Sequence, residues 1–395
     1  MKAFVASPLL ACLISTFGCG GGADTASENV QPINVYAGPT GNSFNVPFTS
    51  VTVCVPGNRA SCQTISDVIV DTGSPGLRVL ASALSLSLPQ ETGGTGNPIA
   101  ECVPFVGAFG WGPLRMADVK MAGEKAESIP IQVFGDPDWS TVPAACRSIV
   151  LPGSTLIDTQ QILGANGIVG VGPLREDLGP LGMVRNPAYY ECPSPDKCQE
   201  AGEPPERQAQ NPVAHFASDN NGVLIELGPV PDTGAESIKG SLIFGIGTRS
   251  NNGLGDATVY TTDALGYFTT IAPHFQVDIL SAIDSGGPFI ATFTDKDIPV
   301  CSDQSPVYCP PSTVNLSAIA LAQNGRTNHI DFSVANADSL TDSWTFKSGN
   351  HVFNNIAESF PLLVDWGLPF FYGRTVFTAI EGADTPWGVG PYFAY

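Results

Sequence analysis

The sequence predicts an all-β protein of two lobes. Three observations carry that expectation. The 395 residues include 43 Gly and 34 Pro, which punctuate short apolar–polar alternations as turns between strands do. Long amphipathic helical segments are scarce; "NLSAIALAQN" (315–324) is one short helical candidate. One pattern also recurs in the two halves: an apolar strand that ends in Asp-[Ser/Thr]-Gly, followed later by an apolar strand near glycines. A chain of this length can bury two cores, and its composition, 43% apolar and 14% charged, is globular rather than disordered. A net charge of −20 would be repelled by a duplex or an anionic membrane surface, so nucleic acid is not expected as a partner.

From the N-terminus, residues 1–18 read as an export signal. Lys2 is the only early charge, and the apolar run from Phe4 to Phe17 is too short to span a bilayer. Cys19, after Gly18, resembles the processing site of bacterial lipoproteins, whose cysteine becomes the lipidated N-terminus; ordinary cleavage a few residues on is the alternative. Residues 19–33 are expected as a flexible tether. The mature chain is then exported to the periplasm or the cell surface. It touches a membrane only through that anchor, and a monomer is expected.

Of the 10 cysteines, Cys12 lies in the signal and Cys19 at its end. The others are Cys54, Cys62, Cys102, Cys146, Cys192, Cys198, Cys301 and Cys309, an even set suited to disulfides in an exported protein. Neighbour pairing is the simplest arrangement. "CVPGNRASC" (54–62) then closes a hairpin, and "CPSPDKC" (192–198) and "CSDQSPVYC" (301–309) are stapled surface loops. No metal site is expected, because there is no Cys-x-x-Cys pair and the 4 His are scattered. No cofactor is expected either.

Residues 34–250 are expected to form the N-terminal lobe and 251–395 the C-terminal lobe. Residues 33–80 alternate as hairpins do. Residues 109–136 read as three strands joined by Gly turns, and 164–174 as an apolar strand between glycines. Residues 174–212, polar and Pro-rich, read as an inserted loop region. "GVLIELGPV" and "GSLIFGIG" return to strand patterning.

The chemistry lies in the repeated pattern. "DVIVDTGSPG" brings an apolar strand to Asp71, Thr72, Gly73 and Ser74; "AIDSGGPFI" does the same at Asp284, Ser285 and Gly286. The glycine-bounded partners are Gly167–Gly170 and Leu363–Gly367. A third Asp-Thr-Gly, at Asp232, follows Val230-Pro231 and reads as a surface turn. Two carboxyls brought together cannot both ionise easily, so they share a proton. One can then activate a water as a base while the other donates as an acid.

With these landmarks in order ("IVDTGS", "FGWG", "NGIVGVG", "GSLIFGIG", "AIDSGG", "VDWGLPFFYGRTVFTAIEG") the chain resembles the pepsin-like aspartic proteases over roughly residues 33–395. It looks most like an uncharacterised exported bacterial group of that appearance. The resemblance implies a bilobal double β-barrel with the active site in the cleft between the lobes, and an endopeptidase acting on peptide or protein substrates. By resemblance, Asp71 and Asp284 are catalytic. Thr72 and Ser285 interlock the two turns, Gly73 and Gly286 permit close approach, and Ser74 bonds Asp71. The flap offers Phe109 or Trp111 where that family has Tyr. The position matching Ser74 is Gly287, which leaves Asp284 without a hydroxyl partner.

Two other readings compete. A pepsin-like cleft can bind a peptide or polymer without cutting it. "DSGGP" also resembles the surroundings of the nucleophilic serine in chymotrypsin-like proteases, which would make Ser285 the nucleophile. Against that, Ile283 stands where that family has Gly, and His215 lies in no matching context. Arg78 is expected to pair with an internal acid.

Overall fold

The structure is a computed structural model that describes residues 28–272, 277–302 and 305–395. The export signal and Cys19 lie outside the described residues. The first lobe is built from β1 (Val30–Val35), β2 (Pro47–Cys54), β3 (Cys62–Asp71), β4 (Pro75–Leu80), β5 (Ile99–Phe105), β6 (Ala108–Met121), β7 (Glu124–Phe134), β8 (Thr155–Ile157) and β9 (Gly167–Val171). The ring β2-β3-β9-β4-β7-β6 closes on itself, because Thr52–Cys54 of β2 also pairs with Asp118–Lys120 of β6. Closure leaves the ring without an unpaired edge. Alternation points Val51, Val53, Val68, Val70, Leu77 and Val79 inward, all of them 0% exposed. Each such side chain contributes about 1.5–3 kcal/mol by leaving water.

The remaining strands are β10 (Asn186–Ser194), β11 (Lys197–Ala201), β12 (Gly222–Leu227), β13 (Ile238–Phe244), β14 (Val259–Thr261), β15 (Phe268–Ala272), β16 (Val277–Ile283), β17 (Val314–Leu321), β18 (Thr327–Val334), β19 (Val364–Trp366), β20 (Arg374–Ala379), β21 (Asp384–Thr385), β22 (Gly388–Val389) and β23 (Tyr392–Ala394). The second lobe is an open half-barrel, β18-β17-β15-β16-β19. Between the lobes runs an antiparallel platform, β1-β13-β12-β20-β23-β14. The molecule is all-β and bilobal in the pepsin-like manner. The platform draws strands from the start, the middle and the end of the chain. Val30–Val35 pairs in register with Ile238–Ile243, so residues 30–33, expected as the end of a tether, are a sheet strand that buries Gln31 and Ile33.

Three further expectations change. Residues 315–324 are not helical: β17 covers most of them, pairing with β15 and β18 and burying alternate residues Ala318 and Ala320. Segment 109–136 holds two long strands, not three, with the reversal at Ala122-Gly123. Gly110 lies inside β6, where a Cβ would strike the Phe134 ring at 2.0 Å. The 174–212 insertion is not wholly loop, because β10 and β11 form a hairpin beside β5. Neighbour pairing of the cysteines holds throughout: Cys54–Cys62, Cys102–Cys146, Cys192–Cys198 and Cys301–Cys309. Cys54 and Cys62 also face each other in the β2–β3 register. Four disulfides among the described residues suit an oxidising compartment, such as the extracellular space or the periplasm.

Candidate active site

The repeated sequence pattern becomes a repeated structural one. β3 delivers Asp71 to its C-terminal end and lies parallel to β9, with Asp71 opposite Gly170. β16 ends at Ile283, one residue before Asp284, and lies parallel to β19, with Ile283 opposite Trp366. Each aspartate thus leaves a strand held between neighbours and enters a tight Gly turn.

The two turns meet. Thr72 Oγ1 donates to the Ile283 carbonyl at 3.1 Å and accepts from the Ser285 N–H at 2.9 Å. Reciprocally, Ser285 Oγ donates to the Val70 carbonyl at 2.7 Å and accepts from the Thr72 N–H at 3.1 Å. Thr72 is 1% exposed and Ser285 0%, so these four bonds lock the lobes in a dry environment where an unmade bond is costly. Ser285 is therefore a structural crosslink. Its hydroxyl is spoken for on both sides and hidden from substrate, and His215 bonds Gln210 instead. Asn45 adds a second bridge, donating to the Pro288 and Phe353 carbonyls and accepting from the Tyr372 hydroxyl.

The lock brings the carboxyls together. The Gly73 N–H lies 2.7 Å from Asp71 Oδ1 and 3.1 Å from Asp284 Oδ1. The Gly286 N–H donates to Asp284 Oδ1 at 2.7 Å, and Ser74 Oγ donates to Asp71 Oδ2 at 2.5 Å. Both turns need glycine for closeness. A Cβ on Gly73 would meet Asp284 Cγ at 2.4 Å, and one on Gly286 would sit 3.0 Å from Asp71 Oδ1 and 3.1 Å from Asp284 Oδ1. Burial holds Asp284 well above the usual carboxylate range, and the charges of Asp71 and Asp365 push it further. Asp232, by contrast, is an exposed turn residue bonded to Asn354.

Behind the first turn, Arg78 is fully buried. It donates to the Pro75 carbonyl at 2.5 Å, to Glu101 at 3.0 Å and to Asp177 at 2.6 Å. The internal acids expected for it are these two. The network ties the chain just after Ser74 to β5 and to the inserted segment.

The carboxyls open into a cleft of about 630 Å³. Its first-lobe wall is apolar, with Phe105, Val106, Leu151, Ile157 and Ile162; its second-lobe wall carries Thr292, Glu358, Ser359 and Asp365. Among the described residues that line it, none is Lys, Arg or His. A hollow of about 680 Å³ between Pro229, Phe332 and Arg374 holds neither aspartate.

Phe109 and Trp111 do not line this cleft. They are 0% and 3% exposed. Trp111 donates its indole N–H to the Trp139 carbonyl and packs edge-on against Tyr190, beside the Cys102–Cys146 bridge. The lip over the cleft is the β5–β6 hairpin tip, Phe105 to Ala108, where Gly107 takes φ +73°. The alternation puts the "FGWG" aromatics on the packed face, and only the register shows where the hairpin turns.

Sequence reasoning also missed Asp365 and Glu358. Asp365 stands between buried Val364 and Trp366 on β19 and faces the cleft. Burial pushes it up to about 8, reinforced by the charges of Asp71 and Glu358. Burial pushes Glu358 to about 7. The visible signal was a carboxyl inside a strand predicted to be apolar.

Among curated proteins, none matches the chain. Many solved structures share its fold: 324 chains match. One is an aspartic proteinase from Irpex lacteus, with a TM-score of 0.50 and 13% identity over 92% of this chain and 96% of that one. At that identity the likeness concerns the fold. The family described as Protein of unknown function (DUF3443) matches residues 25–395. The chain therefore belongs to that family, which here carries a pepsin-like fold.

Proposed function

We propose that the chain is an exported aspartic-type endopeptidase, in which Asp71 and Asp284 act on one shared water. The observation that supports it best is the single Gly73 N–H within hydrogen-bond distance of both carboxyls. Asp71, which accepts from Gly73 and Ser74, is the base; Asp284, held protonated by burial, is the acid. Asp71 takes a proton from the water as its oxygen attacks the peptide carbonyl carbon. Asp284 protonates the carbonyl oxygen. As the tetrahedral intermediate collapses, Asp71 returns its proton to the leaving nitrogen, the C–N bond breaks, and Asp284 recovers its proton. The apolar first-lobe wall suits an apolar side chain beside the scissile bond.

Asp71→Asn should abolish cleavage of an unfolded protein at acid pH and leave the unfolding midpoint nearly unchanged. A wild-type chain as inert as the variant across pH 3–8 would favour a non-catalytic peptide-binding module.

A further inference from the structure

The two halves of the site differ in one respect. Asp71 has a hydroxyl partner, Ser74, bonded to its outer oxygen. The equivalent position after Asp284 is Gly287, which has no side chain. That space is not empty, since a Cβ built on Gly287 would lie 3.0 Å from Asp365 Oδ2. Asp365 and Asp284 line the same cleft, and each carboxyl acts on the other's titration. The backbone of Asp365 is fixed by Thr292, whose N–H donates to the Asp365 carbonyl at 3.1 Å and whose Oγ1 accepts from the Asp365 N–H at 2.9 Å. The other oxygen, Asp365 Oδ1, is buried with no partner.

We propose that Asp365 is a positioning residue: its protonated carboxyl gives Asp284 the hydrogen bond that Ser74 gives Asp71, from the place that Gly287 leaves open. This rests on the reading of the site as an aspartic peptidase and deepens it. The working site is then three carboxyls that hold two protons and one charge. One proton lies between Asp71 and Asp284, the other between Asp284 and Asp365. A hydroxyl cannot ionise, but a carboxyl can. Once Asp365 loses its proton, the donor is gone and a second negative charge faces Asp284, so this residue sets the alkaline limit of activity.

The titratable groups around Asp365 are Asp71 and Asp284 on the two turns, Glu358 on the adjoining loop and Tyr267 before β15. No cation faces it among the described cleft residues. Burial of Asp365 and its acidic neighbours, which hold it near 8, keep it protonated through the acid range.

The test uses Asp365→Ala, Asp365→Asn and the double variant Asp365→Ala/Gly287→Ser in the mature chain. The double variant moves the hydroxyl donor to the position Ser74 occupies in the first turn. Two readouts are taken: the 13C titration of aspartate γ-carbons, and the pH profiles of kcat and KM on an unfolded protein. Asp365→Ala should lower kcat about 10- to 100-fold at acid pH with KM little changed, and should shift the Asp284 γ-carbon titration. Asp365→Asn keeps an N–H donor that cannot ionise, so it should retain acid-side activity and move the alkaline limit up by about a unit or more. The double variant should recover most of the kcat lost in Asp365→Ala. The assignment is overturned if Asp365→Ala keeps the wild-type Asp284 titration, or if the folded double variant stays as slow as the single one. Shifted γ-carbon titrations in a wild-type chain that cleaves nothing would sink the peptidase reading and leave the hydrogen-bond assignment standing.

Discussion

The acidic cleft should make the fold less stable as pH rises, and the sign follows from the direction of the shifts. Asp284, Asp365 and Glu358 all lie above their ordinary values because burial disfavours their charged forms. An unfolded chain releases these protons near pH 4, whereas the folded chain holds them to about pH 7 and 8 for Glu358 and Asp365. Between those limits the folded state binds more protons, so stability falls with rising pH. At about 1.4 kcal/mol per pH unit the Asp365 and Glu358 shifts together amount to about 9 kcal/mol. Both groups border an open cleft and share their field, which reduces this to roughly 4 kcal/mol. That is a large part of the ~5–15 kcal/mol that holds a protein folded. The assay is urea unfolding followed by tryptophan fluorescence at several pH values from 5 to 8. With a slope near 3 kcal/mol/M, the wild-type midpoint should drop by about 1 M across that range. Asp365→Asn/Glu358→Gln should match the wild type at pH 5 and exceed it at pH 8. Glu203, which burial pushes up to about 7, adds to both slopes and cancels in the comparison. A wild-type midpoint that is flat or rising, or a double variant that tracks the wild type, would refute the argument.

Other expectations follow from single contacts. Gly286→Ala puts a methyl about equally close to both carboxyls; it should lower kcat about 100-fold or more with secondary structure retained by circular dichroism. Thr72→Val strips two bonds from the interlobe lock and strands the Ser285 N–H and the Ile283 carbonyl; unfolding free energy should fall by about 2–4 kcal/mol. Arg78→Met leaves the buried Glu101 and the half-buried Asp177 without their cation; the cost should be about 3–5 kcal/mol in urea titration, and a neutral result would deny the network its role. Trp111→Phe removes a bond inside a packed hairpin, so KM for an unfolded protein should stay within about twofold, with a small loss of stability.

Much of this site was legible before any fold was known, and the reason is physical. A strand that ends in Asp and turns through Gly is a local event, written in consecutive residues at 67–76 and again at 282–287. The glycine-bounded strands that flank each aspartate are equally local, and they prove to be the parallel neighbours β9 and β19. Even the disulfides fell to proximity in sequence, since most close short hairpins or loops. Where the sequence reading failed, the deciding quantity was register or a distant neighbour. Residues 315–324 carry enough Ala and Leu to suggest a helix, yet their period-2 burial is imposed by β15 and β18 on either side. Phe109 and Trp111 belong to the right hairpin, but which face they occupy depends on where the chain turns, at Val106-Gly107. Asp365 stood in plain view within "LLVDWG". Its meaning required knowing that Gly287 leaves a gap and that β19 lies beside the second aspartate. The sequence alone determined which residues end the strands and which glycines let them meet, because those are properties of neighbours along the chain. Only the tertiary structure decided that a third carboxyl, Asp365, lies beside Gly287, because that contact joins segments whose approach no local pattern encodes.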